Sequence, residues 1–164
     1  MKHSTWMKVA QLIANEESKC LSQRVGAVIV SNDKLVSTGY NGSPSGQPNC
    51  CDVNRNLVID GRFQQWVSPE ARAEHHHWSL MHEIHAEMNA ILQSTPEKRL
   101  GATIYVTLQP CVNCSVMLAG SGISKVVYLT EYDKTPPEAT ERLTLAGIKL
   151  YKLDMENNVL IPKN

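Results

Sequence analysis

Thr103-Ile104-Tyr105-Val106-Thr107 runs through Leu108-Gln109 into Pro110-Cys111-Val112-Asn113-Cys114. The first five residues, β-branched or aromatic, predict a strand. The residues from Cys111 to Ala119, stopped at Gly120 or Gly122, predict a helix. Upstream, 84–93 predicts another helix with Pro96 beyond it. Downstream come a strand over 125–129, a helix over 137–146 stopped by Gly147, and a strand over 149–153. The αβαβαβ alternation predicts a mostly parallel sheet between helices. Nearer the start, Ser4 caps a helix over about 5–18, on which Val9, Leu12 and Ile13 fall on one face. A buried strand over 25–30, a Ser31-Asn32-Asp33 turn and a return strand over 34–40 predict one antiparallel hairpin.

These 164 residues suit one domain, 1–164, with a core of its own. Lys+Arg and Asp+Glu both number 16, so the net charge is zero, and no basic tail or long cationic stripe of the kind a nucleic-acid binder carries is visible. No apolar stretch reaches membrane-spanning length, and Met1-Lys2-His3-Ser4-Thr5 has no signal-peptide character. The expectation is a cytoplasmic, soluble protein (in the host cell, if viral) with no membrane and no nucleic-acid partner. Cys20, Cys50, Cys51, Cys111 and Cys114 are five in number, which fits metal chemistry better than disulfides. The stretch 49–83 is too long for an ordinary loop. Within it Ser68-Pro69-Glu70 supplies a cap, a proline and an acid that predict a helix to about 81.

The chemistry lies in His85-Ala86-Glu87 and Pro110-Cys111-Val112-Asn113-Cys114. Catalytic zinc takes three protein ligands and keeps a fourth position for water. A carboxylate that does not ligate can then move that water's protons. Cys111 and Cys114 at a helix entrance can share one face, where free N–H groups and the helix dipole favour thiolates. His85 and Glu87 are two apart and would diverge inside a helix, so both are predicted at its first turn. The expected roles are His85, Cys111 and Cys114 as zinc ligands and Glu87 as proton donor and acceptor. The alternative is a purely structural zinc, held by these three and one more ligand. The combined H-x-E and P-C-x-x-C pattern favours a nucleobase deaminase.

Glu83-Ile84-His85-Ala86-Glu87-Met88-Asn89-Ala90-Ile91 with Leu108-Gln109-Pro110-Cys111-Val112-Asn113-Cys114 resembles the cytidine deaminase superfamily. Val25-Gly26-Ala27-Val28 and Thr38-Gly39-Tyr40-Asn41-Gly42-Ser43-Pro44 narrow the resemblance to the deoxycytidylate (dCMP) deaminases. Asn49-Cys50-Cys51-Asp52, Trp78-Ser79 and Tyr132-Asp133-Lys134 look like the T-even phage type. The resemblance implies a three-layer α/β/α fold with a five-stranded mixed sheet. It implies zinc-dependent deamination of dCMP to dUMP, supplying dTTP synthesis. It further implies a homo-oligomer, often a hexamer, activated by dCTP and inhibited by dTTP with Mg2+. Bifunctional dCMP/dCTP deamination, polynucleotide cytidine or adenosine deamination, and a non-catalytic zinc scaffold are the alternatives.

Carried over by position, Cys20, Cys50, His75 and Glu83 would hold a second, structural zinc that staples the 49–83 insertion. His76, His77, His82 or Cys51 could replace one of them. Asn41, Ala86 and Tyr132 are implied to contact the substrate, and Gly42, Ser43 and Pro44 the regulator. Arg24, Lys134 and Arg142 are candidates for the 5′-phosphate. Trp6, Met7, Val9 and Trp66 read as core, with an oligomer interface as the alternative. Gln109 departs from the family, many members of which have a small hydroxyl residue or an acid before Pro-Cys.

Overall fold

The central strands of the main sheet are covered on both faces, which is why they read as apolar runs. The structure, a computed structural model, describes residues 1–59, 62–63 and 68–163. Helix α1 (His3–Glu17) leads into the hairpin β1 (Gly26–Ser31) and β2 (Lys34–Tyr40). The insertion follows: a short helix α2 (Cys50–Val53), a 3-10 turn, a small hairpin of β3 (Val58–Ile59) and β4 (Arg62–Phe63), and helix α3 (Pro69–His82). Then come α4 (Ala86–Leu92), α5 (Pro96–Arg99), β5 (Thr103–Leu108), α6 (Val112–Ala119) and β6 (Lys125–Thr130). Helix α7 (Pro137–Leu145) and strands β7 (Lys149–Asp154) and β8 (Val159–Pro162) complete the chain.

The sheet order is β2-β1-β5-β6-β7-β8. Ala27, Ile29, Ile104, Val106, Val126 and Tyr128 pack on one side with Ala86 and Ala90 of α4, Leu118 of α6 and Leu143 of α7. Val28, Val30, Tyr105 and Val127 pack on the other side against Trp6, Met7 and Ala10 of α1. Trp6 and Met7 are therefore core residues and Val9 is partly buried against them. Trp66 lies outside the described residues. No described helix is long and apolar enough to cross a membrane.

Two expectations are corrected. The sheet has six strands, not five. The extra strand, β8, returns antiparallel along β7 through a turn in which Asp154 accepts from the Glu156 and Asn157 amides and Asn158 takes a left-handed φ of 54°. Nor is the sheet mostly parallel: only β5–β6 and β6–β7 pair that way. Strand β1 runs antiparallel to both β2 and β5, so it sits between two strands that share a direction.

That arrangement places the site. Strands β2 and β5 point the same way, and α4 and α6 start beyond their carboxyl ends. Residues 43–83 leave and return at one point, because Gly42 and Ile84 exchange backbone hydrogen bonds of 3.1 and 2.9 Å. The helix α4 thus follows β2 as if the insertion were absent. It also lies directly on β2: a Cβ at Gly39 would collide with the Ala86 carbonyl oxygen and the Ala90 amide. Backbone on both sides leaves nothing flexible to yield. We expect Gly39→Ala to cost about 1–3 kcal/mol by overpacking, read as a lowered urea midpoint, and to push out the helix that begins just after His85.

Candidate active site and metal centres

His85 and Cys111 are the residues that cap α4 and α6, each in extended backbone just outside its helix. The helices thus begin slightly later than the sequence predicts, and Glu87 is the second residue of α4. The half-helical geometry lets His85 and Glu87 converge. The His85 Nδ1 atom lies 3.5 Å from the Cys111 sulfur and 3.3 Å from the Cys114 sulfur. All three ligand atoms lie within 4.8 Å of one another. With zinc bonds of about 2.0–2.3 Å, such spacings are those of one face of a coordination tetrahedron. Imidazole and two thiolates also suit zinc chemically, so the residues fit the ion.

The electrostatics agree. The Cys111 thiol is pushed down to about 4 by hydrogen bonding to Cys114 and His85, against the effect of burial. Cys114 moves the other way, as hydrogen-bond partner of that thiolate and because it is buried. His85 is raised by its hydrogen bond to Cys111. Glu87 is 4% exposed, and burial raises its carboxyl above the ordinary range. A carboxyl held beside the trio, but not part of it, is placed to carry protons.

A cleft of about 630 Å³ opens over this cluster. Its floor includes His85, Ala86, Glu87 and Cys111, and one wall carries Asn41. Tyr132, Asp133 and Lys134 from the β6–α7 loop form another wall, together with Gln109. Burial raises the Tyr132 phenol. The Asn41 side chain is heavily engaged. Its Oδ1 accepts from the Ser18 hydroxyl and the Val25 amide at 2.8 Å each, and its Nδ2 donates to the Gln23 carbonyl at 2.9 Å. One amide hydrogen remains for a ligand. Asn41 therefore organises the 18–25 loop whatever else it does.

Of the three phosphate candidates, Lys134 alone lines the cleft. Arg24 donates to the Asn15 carbonyl at 2.9 Å, and Arg142 sits exposed in the last turn of α7. Sequence reasoning did not place Arg72 and His76 of α3 in the cleft, and both line it. They share a helical face with Ser79 and Leu80, and that i, i+4 spacing was the available signal. Gly42, Ser43 and Pro44 lie off the cleft, where Gly42 pairs with Ile84 and the Ser43 hydroxyl is buried without a partner.

A second trio stands in the same wall. The His75 Nε2 atom is 3.2 Å from the Cys50 sulfur and 3.7 Å from the Cys20 sulfur, and all three residues are buried. The Cys50 thiol is lowered, first by hydrogen bonding from Cys20. Glu83 stands beside the trio. Its Oε2 accepts from the Ser79 hydroxyl, while its Oε1 is buried with no partner. The Glu83 carboxylate acts electrostatically on the Cys20 and Cys50 thiols, but among the described residues the clustered ligand atoms are those of Cys20, Cys50 and His75, without Glu83. The alternatives His76, His77 and His82 are exposed, and Cys51 lies outside the cluster.

The model of the cytidine and deoxycytidylate deaminase zinc-binding region matches residues 1–130. The chain belongs to that family. It is 41% identical over 179 residues to the deoxycytidylate deaminase of Enterobacteria phage T4, covering 96% of this chain and 92% of that one. The deoxycytidylate deaminase of Saccharomyces cerevisiae is 37% identical over 88% of this chain and 42% of its own length. Among solved structures, the cyanophage S-TIM5 dCMP deaminase in complex with dCMP and dUMP superposes with a TM-score of 0.67 at 30% identity, over 93% of this chain and 99% of that one. A tRNA deaminase structure, 19% identical with a TM-score of 0.56, shares the fold. The two Cys/His trios are thus candidate metal centres in a zinc-binding deaminase fold.

Proposed function

We propose that the protein is a deoxycytidylate deaminase, hydrolysing dCMP to dUMP and ammonia and so supplying dTTP synthesis. The observation that carries this reading is the buried Glu87 carboxyl beside the His85, Cys111 and Cys114 trio under an open cleft. The 41% identity to the T4 phage deoxycytidylate deaminase over 96% of the chain supports the same substrate.

His85, Cys111 and Cys114 would hold the catalytic zinc. Bound there, the ion supplies Lewis acidity, which makes water nucleophilic at neutral pH. Glu87 takes a proton from the attacking water and delivers it to ring N3 as the oxygen adds to C4. Glu87 then moves the remaining hydroxyl proton to the exocyclic amino group. The C4–N bond breaks, C4 becomes a carbonyl and ammonia leaves, so one water hydrogen ends on N3 and the other on ammonia. The Ala86 backbone and Asn41 orient the base and sugar. Tyr132 and Lys134, facing Arg72 and His76, receive the 5′-phosphate.

Cys20, Cys50 and His75, with Glu83, would hold a structural zinc. The resemblance across the chain supports a homo-oligomer, with a hexamer favoured. It supports activation by dCTP and inhibition by dTTP with Mg2+, through a loop that includes Gly42, Ser43 and Pro44. Ammonia release from dCMP, dCTP, deoxycytidine, cytosine and single-stranded DNA, with and without these effectors, tests the reading. We expect dCMP to give the highest kcat/KM. Activity confined to polynucleotides would overturn the proposal.

A further inference from the structure

Gln109 carries two hydrogen bonds that join the turn before Cys111 to the loop forming the cleft's opposite wall. Its backbone N–H donates to the Thr130 carbonyl at 2.8 Å and extends the β5–β6 ladder by one step. Its side-chain Oε1 accepts from the Tyr132 backbone N–H at 3.2 Å. The loop answers from its other end: the Thr135 hydroxyl donates to the Pro110 carbonyl at 3.3 Å, and the Thr135 N–H closes a turn onto the Tyr132 carbonyl at 2.9 Å. Residues 132–135 are thus strapped at both ends to the two residues that precede Cys111.

This matters because of what each side of the strap carries. One side is the Cys111 turn, which fixes where a pyrimidine ring can react. The other carries Tyr132 and Lys134, which line the cleft. A nucleoside monophosphate has a short, fixed reach from ring to phosphate. A protein that reads both ends must hold its phosphate-facing loop at a set distance from its catalytic turn. The side chain that reaches from the catalytic turn across the gap is Gln109, and Thr135 reaches back from the loop. Leaving the Tyr132 N–H without its acceptor would free the loop to shift.

Resting on the deaminase reading above, we propose that Gln109 is a positioning residue that sets recognition of the substrate's 5′-phosphate by tying the Tyr132–Lys134 loop to the catalytic turn. It does not touch the reacting atoms. Its removal therefore weakens phosphate-bearing ligands selectively and spares the chemical step.

The test uses full-length, metal-loaded protein carrying Gln109→Met, which keeps the length of the side chain and removes the acceptor. The expected result is a KM for dCMP raised about tenfold with kcat within about threefold of the parent. Inhibition by dUMP should weaken about tenfold, while inhibition by deoxyuridine, which lacks the phosphate, stays unchanged. Thr135→Val, which removes the second strap, should give the same pattern at smaller size, and it carries the test if Gln109→Met misfolds. Equal losses for dUMP and deoxyuridine, a fall in kcat alone, or parental values in both variants would overturn the proposal. Failure of the parent protein to deaminate dCMP would instead strike the deaminase reading itself.

Discussion

Glu87→Gln should lower kcat for dCMP by about 10³-fold, within the range contributed by a positioned general acid and base, while the protein keeps its full metal content. The substitution preserves shape and removes the ability to accept and return a proton. Glu87 is suited to that cycle because it is 4% exposed and burial holds its carboxyl above the ordinary range. It sits in the first turn of α4 while His85 caps the same helix, so the proposed proton carrier and one proposed ligand arise from one local geometry. The His85, Cys111 and Cys114 ligand atoms lie within 4.8 Å of one another without any contribution from Glu87. Metal analysis and turnover must therefore separate: full zinc with almost no ammonia release. If the variant lost the metal, Glu87 would be a ligand and the trio incomplete. If it retained turnover within tenfold of the parent, some other group would be moving the protons.

How much of this was legible in sequence depends on the range of the forces involved. The clustering of His85, Cys111 and Cys114 was legible because helix starts impose local rules. A proline, a cysteine and a second cysteine three residues on can be read as one capped turn, and the structure has Cys111 as the cap and Cys114 inside the first turn. The Ser68 cap of α3 was legible for the same reason, and its hydroxyl accepts from the Ala71 amide at 3.2 Å. Strand direction was not. Whether β5 pairs with β1 or β2 depends on which edge the crossover through α4 reaches, and no residue within either strand encodes that. Strand β8 was missed because Asp154 and Asn158 form their turn late in the chain, where the apolar run Val159-Leu160-Ile161 is short and half exposed. The part of the cleft wall formed by Arg72 and His76 was missed because polar side chains on a helix are usually solvated. Only the fold turns that face of α3 inward over the site.

The second large effect is expected at the other trio. Cys50→Ser should remove one metal ion per chain and lower the melting temperature by about 10 °C, roughly 3–5 kcal/mol for a chain of this size. Among the described residues the insertion buries few other side chains. Among its described side chains α3 buries only Ala71 and His75, and the nearby apolar cluster centres on Leu57 and Ala71 alone. The Cys50 sulfur is the hub, accepting from the Leu21 amide at 3.5 Å and the Asn54 side chain at 3.7 Å, and lying 3.2 Å from His75. A serine hydroxyl is shorter and a poor zinc ligand, so the ion, the α2 turn and α3 would lose their common anchor. Cys51→Ser is the matched control, because Cys51 is adjacent in sequence but outside the trio. It should leave both metal content and melting temperature at parental values. The wall of the cleft includes Cys20, His75, Ser79 and Glu83, so loosening it should also raise the KM for dCMP more than it lowers kcat. A parent protein with a single zinc, or matching melting temperatures for the two serine variants, would show instead that α3 stands on its own packing.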